Sequence, residues 1–384
     1  MKFFRRQSEG ISVTVIVSIV FGFAAGAVGQ IVTDVYVNPY GQDLFSSSFE
    51  DPRNISTVIP ELRPVKHFLG IEQDFQVNQS IEKVLPATVA IYPKKSTGAS
   101  VSSQLYLPSD VVAQGFILTS DGWIVSIAPV VAKTPDAFVI AYGGQLLTPE
   151  TVVTDTVTGV SFIKVGATNL PVIVFGDSDE VNLGQLLLSI IHQSQTVVGT
   201  VQSLDQRALQ TASDFVVSSE SYDQLLRVVG DFSEQFVGSP VANLGGEIVG
   251  IVAVVAGDGS YADVVPLNQF RSVVLDVLRS NIVKRPFLGV RYIDLSRVVG
   301  LNADTVQGQI QGALVFERPA STAPAAELDL RVNDIITSVD GQPVDTDSSL
   351  TELVQQYRPG DEITFDILRD GQTSQRSTTL SILE

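Results

Sequence analysis

Residues 114–127 read QGFILTSDGWIVSI, two β-branched and aromatic runs separated by Ser120-Asp121-Gly122. Runs of that composition favour extended backbone, and a turn carrying Asp-Gly reverses the chain, so the stretch predicts a β-hairpin. The pattern repeats outward on both sides. ATVAIYP (87–93) precedes it, and AFVIAYGGQLL (137–147), GVSFIKV (159–165) and LGQLLLSII (183–191) follow. TVVGTVQSL (196–204), FVVSS (215–219) and GEIVGIVAVVA (246–256) continue the series, punctuated by Gly, Asp, Asn and Pro. Short strands at such regular spacing predict an all-β barrel or sandwich rather than βαβ units. A helical period appears only at Pro266 to Ser280, where Leu267, Phe270, Val273, Val274 and Val277 share one face.

The last hundred or so residues form a second unit. It opens with RPFLGVRYIDL (285–295), then carries GALVFERPASTAPAAEL (312–328) and RVNDIITSVDGQPV (331–344). A short helix is predicted near Ser348 to Tyr357, followed by the hairpin EITFDILRDGQTSQRSTTLSI (362–382), turning at Arg369-Asp370-Gly371-Gln372.

Composition removes whole classes of function. The chain has 384 residues and a formal net charge of −18, a surface that repels phosphate backbones, so no nucleic-acid partner is expected. It has no cysteine, which excludes disulfides, thiolate nucleophiles and cysteine-ligated zinc. His67 and His192 are the only histidines, and neither a cofactor nor a metal is expected. Asp345-Thr346-Asp347 starts like a calcium loop but lacks its glycine and terminal glutamate.

At the N-terminus, Lys2, Arg5 and Arg6 precede an uncharged run, Gly10 to Thr33. About 20 apolar residues cross a bilayer, so 11–33 is read as a transmembrane anchor after a cytoplasmic 1–10. The bulk of the chain then lies outside the cytoplasm, as a single-pass membrane protein. A cleaved signal peptide ending at Ala25-Gly26-Ala27 is the alternative. Residues 34–76, with Pro39, Pro52, Pro60 and Pro64, read as a linker with at most short helical pieces around Phe68 to Phe75.

Five strings, taken in order, resemble HtrA-type serine proteases: SIEKVLPATVAIYP (80–93), AQGFILTSDGWIVSIAPVV (113–131), DTVTGVSFIKV (155–165), LPVIVFGDSDEVNLGQ (170–185) and QFVGSPVANLGGEIVGI (235–251). The tail resembles that family's PDZ domain. The resemblance implies a mainly β fold: a chymotrypsin-like double β-barrel over 77–280, then a PDZ domain over 284–384. It also places the catalytic triad, and there the chain departs from the family. The imidazole position holds Pro129, the carboxylate position Gly159 and the nucleophile position Val237. Acyl transfer needs a hydroxyl, a base and an orienting carboxylate, and these three residues supply none. The oxyanion glycine is replaced by Gln235, a residue that disfavours positive φ.

The expectation is therefore a pseudoprotease. It would bind polypeptide C-termini or extended peptides through Phe287, Leu288, Gly289 and Val290, with Leu350 and Val354 on the facing helix. Residues 290–293 would be the free sheet edge, and Asn333-Asp334 a turn that enters the left-handed region. The family resemblance further implies a homo-trimer, or a hetero-oligomer with an active relative. An active endopeptidase with a non-standard nucleophile, Ser239 foremost, is the alternative.

Overall fold

The computed structural model describes residues 72–95, 101–127, 135–192, 195–206, 211–222 and 224–383. The proposed anchor at 11–33, most of the 34–76 linker, His67 and Pro129 lie outside the described residues. Among the described residues no helix is long and apolar enough to cross a membrane.

Helix α1, Glu72–Val84, begins inside the stretch read as linker. Val77, Ile81 and Val84 recur at helical spacing and pack on the barrel core. The Ser80 hydroxyl donates to Asn243 O and Leu244 O, and Lys83 Nζ to Gly245 O, which ties the helix to the 243–246 turn.

The first sheet comprises β1 (Thr88–Pro93), β2 (Ala113–Ile117), β3 (Trp123–Ile127) and β4 (Phe138–Tyr142), then β5 (Gln145–Leu147), β6 (Pro149–Thr154) and β7 (Val160–Val165). Its order is β5-β4-β1-β2-β3-β7-β6, and the predicted β2–β3 hairpin turns at Gly122, where φ is +103°. The second sheet uses β8 (Val174–Phe175), β9 (Leu186–Ile190), β10 (Thr196–Gln206) and β12 (Leu225–Val229), with β13 (Pro240–Ala242), β14 (Glu247–Val255) and β15 (Tyr261–Pro266). It runs β13-β9-β10-β12-β15-β14-β8, and a β13–β14 pairing closes it into a ring. The helix Leu267–Ser280 buries Leu267, Phe270, Val273, Val274 and Val277, the five positions read from its period. Ser178 Oγ accepts from Asn268 N, and Asp177 Oδ1 from Asn268 Nδ2, so the Gly176–Asp179 turn seats that helix on the sheet.

β11 (Val216–Ser218) is the exception to the barrel reading. The run FVVSS was expected among the barrel strands, yet its neighbours β10 and β12 pair directly with each other. No edge remains there for it. It joins the C-terminal sheet instead, antiparallel to β17 (Arg291–Asp294). That sheet continues through β18 (Ala313–Val315), β19 (Ile335–Val339), β21 (Glu362–Arg369) and β22 (Gln372–Thr379), with β20 (Gln342–Pro343) beside β19. A separate pair, β16 (Pro286–Phe287) and β23 (Ser381–Ile382), closes the unit. The short helix Leu350–Val354 starts at Ser349, whose hydroxyl accepts from Glu352 N while the Glu352 carboxylate accepts from Ser349 N. The β21–β22 turn has Asp370 and Gly371 both at positive φ, and Asn333 sits at φ +73°, both as the turn chemistry requires.

Candidate functional site

Two places hold the residues singled out from sequence, and the first is the cleft between the barrels. Val237 is half-buried and packs against the barrel core. It follows a 3-10 turn, Glu234–Phe236, and its N–H donates to Glu234 O at 3.1 Å. An amide spent on that turn is not directed at a developing oxyanion. Gln235 lies within the turn and is not among the positive-φ residues. Gly238 does take positive φ, +83°, and a Cβ there would stand 2.3 Å from Gln114 O, so only glycine fits this turn.

Gly159 has φ +73°, and no heavy atom lies within 4 Å of where its Cβ would be. The nearby acid, Asp155, is fully buried and engaged by the Arg285 guanidinium, the Thr158 hydroxyl and the Val157 N–H. Ser239, the alternative nucleophile, is also fully buried. Its hydroxyl donates to Phe236 O at 2.6 Å and meets Ser189 Oγ at 2.7 Å. The His192 ring is engaged by backbone, with its Nδ1 3.0 Å from Thr88 O. Lys164 is paired with Asp121. The structure therefore brings no imidazole or amine to a hydroxyl in the described part of this cleft.

The second place is the loop Phe287–Val290. Gly289 has φ +82°, which turns successive amides to one side, and Leu288 and Val290 are fully buried beneath. Leu288 N–H and Gly289 N–H donate to one oxygen, Glu220 Oε1, at 3.0 and 2.8 Å. Val290 N–H donates to Ser219 Oγ, and Ser219 N–H returns a bond to Val290 O. From there β11 runs along β17, pairing Ser218 with Arg291, Val217 with Tyr292 and Val216 with Ile293. The stretch read as a free edge is thus a covered one. Leu350 and Val354 are fully buried in the same cluster as Val217, behind the bound segment. The groove's polar contacts come from residues the sequence reading passed over. Thr351 Oγ1 donates to Ser218 O at 3.0 Å, and Gln355 Nε2 to Ser219 O at 3.3 Å. Their four-residue spacing on one helix face, beside Leu350 and Val354, is the signal that points to them.

Comparison with known proteins agrees with both halves of this architecture. Residues 113–251 match the trypsin-like peptidase domain and residues 286–380 the PDZ domain. A probable periplasmic serine endoprotease DegP-like of Halomonas elongata is 29% identical over 279 residues, 71% of this chain and 56% of that protein. In both halves this chain resembles the HtrA-type serine proteases. The Bacillus subtilis serine protease Do-like HtrB is 24% identical over 270 residues, 67% of this chain and 59% of its own length. The chain spans little more than half the length of these curated relatives. Among solved HtrA-type structures, the protease AlgW with a decapeptide superposes with a TM-score of 0.61 at 18% identity. That match covers 80% of this chain and 99% of AlgW, and it shows a shared fold.

Proposed function

We infer that this HtrA-like chain captures extended polypeptide segments or C-termini without cleaving them, as a scaffold, adaptor or regulator in envelope protein quality control. The observation that carries the reading is the Phe287–Val290 loop, whose amides converge on a carboxylate while β17 pairs with an extended segment. Backbone pairing at a sheet edge gives affinity, and the loop amides select a negative terminus. The decapeptide carried by the AlgW structure supports peptide capture on this fold.

The non-cleaving half rests on what the triad positions hold. Pro129, Gly159 and Val237 offer no base, carboxylate or hydroxyl, and the Val237 amide is committed to Glu234. Removing a single triad member already costs about four orders of magnitude or more in rate. The relatives' names, serine endoprotease and serine protease, favour the alternative of cleavage through a non-standard nucleophile. Burial of Ser239 without a base counts against it. The periplasmic relatives support an extracytoplasmic location, with 11–33 as the proposed membrane anchor. Assembly as a homo-trimer, or with an active relative, rests on family analogy.

Exposure of the full-length chain to a serine-directed fluorophosphonate, followed by intact-mass measurement, tests the non-cleaving half. No added mass is expected. A stoichiometric adduct means that a working nucleophile and oxyanion site exist and contradicts the reading.

A further inference from the structure

The segment in the peptide groove belongs to this chain, and its chemistry reproduces that of a bound C-terminus. It lies in the connection between β10 and β12, two barrel strands that pair without it. Ser219 sits where a terminal residue would: its N–H donates to Val290 O at 2.9 Å, the first rung of the ladder with β17. A terminal residue would offer its own α-carboxylate to the loop. Ser219 continues into Glu220, whose side chain bends back so that Oε1 accepts from both Leu288 and Gly289. The third loop amide, Val290, is satisfied by Ser219 Oγ. The Ser218 and Ser219 hydroxyls donate to the two Glu220 oxygens at 2.5 and 2.6 Å, which fixes the carboxylate in that bend. Two residues before Ser219, Val217 is 7% exposed and enters the PDZ core cluster with Leu350 and Val354. Glu220 itself is 8% exposed.

We propose that Val216–Glu220 is a built-in surrogate C-terminus, with the Glu220 side chain in the role of the terminal carboxylate, and that an external C-terminus binds only by displacing it. The proposal rests on the peptide-binding reading above and supplies its regulation. The displacing ligand is defined by the occupant: an extended peptide with a free α-carboxylate and an apolar residue two positions before its last. An internal ligand lowers apparent affinity by the fraction of groove that is open, so weakening it tightens external binding. Buried Glu220 makes charge-assisted bonds to the two amides, and glutamine offers only a neutral oxygen in the same shape.

The test uses the full-length chain and its Glu220→Gln and Ser219→Ala variants. Amide hydrogen exchange is followed over 287–291 without peptide, and binding is measured for an acetylated hexapeptide ending in Val-Ser-Val with a free carboxylate. The same peptide with a C-terminal amide is the control. Glu220→Gln should accelerate exchange at Leu288 and Gly289 and tighten the free-carboxylate peptide about tenfold, equivalent to about 1.4 kcal/mol. Ser219→Ala should accelerate exchange at Val290 with a smaller gain. Unchanged exchange and affinity in both folded variants overturn the surrogate terminus and leave peptide capture standing. Faster exchange with no peptide bound by any form upholds the internal ligand and refutes external capture instead.

Discussion

Arg285 Nη2 donates to Asp155 Oδ2 at 2.5 Å, with the two side chains 2% and 0% exposed. The pair joins the first residues of the PDZ domain to the turn before β7 of the first barrel. Arg285 Nη2 also donates to Gln269 O, and its guanidinium stands 5.6 Å from the Tyr222 ring, which itself borders the groove segment. One buried cation therefore connects the first barrel, the helix Leu267–Ser280 and the PDZ domain.

Breaking such a pair from one side leaves a charge stranded in the interior. Asp155→Ala should destabilise the chain by about 3–5 kcal/mol in urea unfolding. Asp155→Leu with Arg285→Met, which removes both charges, should recover most of that loss. A single variant no worse than the double one would show that the pair carries no buried charge.

Val237→Ser restores a hydroxyl at the nucleophile position but not a base, and it leaves the 3-10 turn in place. Fluorophosphonate labelling of this variant is expected to stay at the background of Val237→Ala. Labelling above that background would mean that the Val237 amide is released from Glu234 O in solution.

Gly289 and Gly371 both lie at positive φ, +82° and +77°, but in different surroundings. A Cβ on Gly289 would fall 2.5 Å from Ala323 Cβ, whereas one on Gly371 meets nothing within 4 Å. Gly371→Ala should lose about 1 kcal/mol from left-handed backbone alone. Gly289→Ala should lose more, about 2–3 kcal/mol, because the contact adds to the strain. Thermal unfolding of the two variants side by side checks the order.

Burial raises the Glu352 carboxyl above its ordinary value near 4.5, although bonds from Ser349 oppose the shift. A carboxyl raised by folding is a stabilising group when protonated, and that contribution is lost as pH climbs through the folded value. Glu352→Gln keeps an acceptor for Ser349 N–H without the charge. It should unfold at higher temperature than wild type at neutral pH, the gap closing as pH falls below about 4.5. A gap that widens on acidification contradicts this.

Strands such as β2, β3 and β14 were legible because each carries its own signal, alternating Val and Ile between Gly and Asp turns, as in 114–127 and 246–256, whereas β6, β12, β13 and β15 were not read. The helix Leu267–Ser280 was legible too, since five apolar residues mark its buried face. β11 was legible as a strand and not as a partner. Three extended residues state a conformation, and the choice of sheet is made by contacts such as Glu220 with Leu288, 68 positions apart. Helix α1 was missed because Val77, Ile81 and Val84 are diluted by Gln, Asn, Glu and Lys on its other faces. The groove helix was read only in part. Leu350 and Val354 stand out as apolar residues and share a core cluster with Val217 of the segment, whereas the polar contacts to the segment from Thr351 and Gln355 carry no such apolar signal.

Peptide binding and the absence of cleavage meet in one measurement. The full-length chain is titrated against a library of peptides with free C-termini, and every bound peptide is recovered and weighed by mass spectrometry, with casein as a parallel substrate. Saturable binding that requires the free carboxylate and falls away in Gly289→Glu is expected, with each peptide and the casein returned intact. Peptides or casein recovered as fragments, from protein whose cleavage survives repurification, would contradict binding without cleavage and restore the endopeptidase reading.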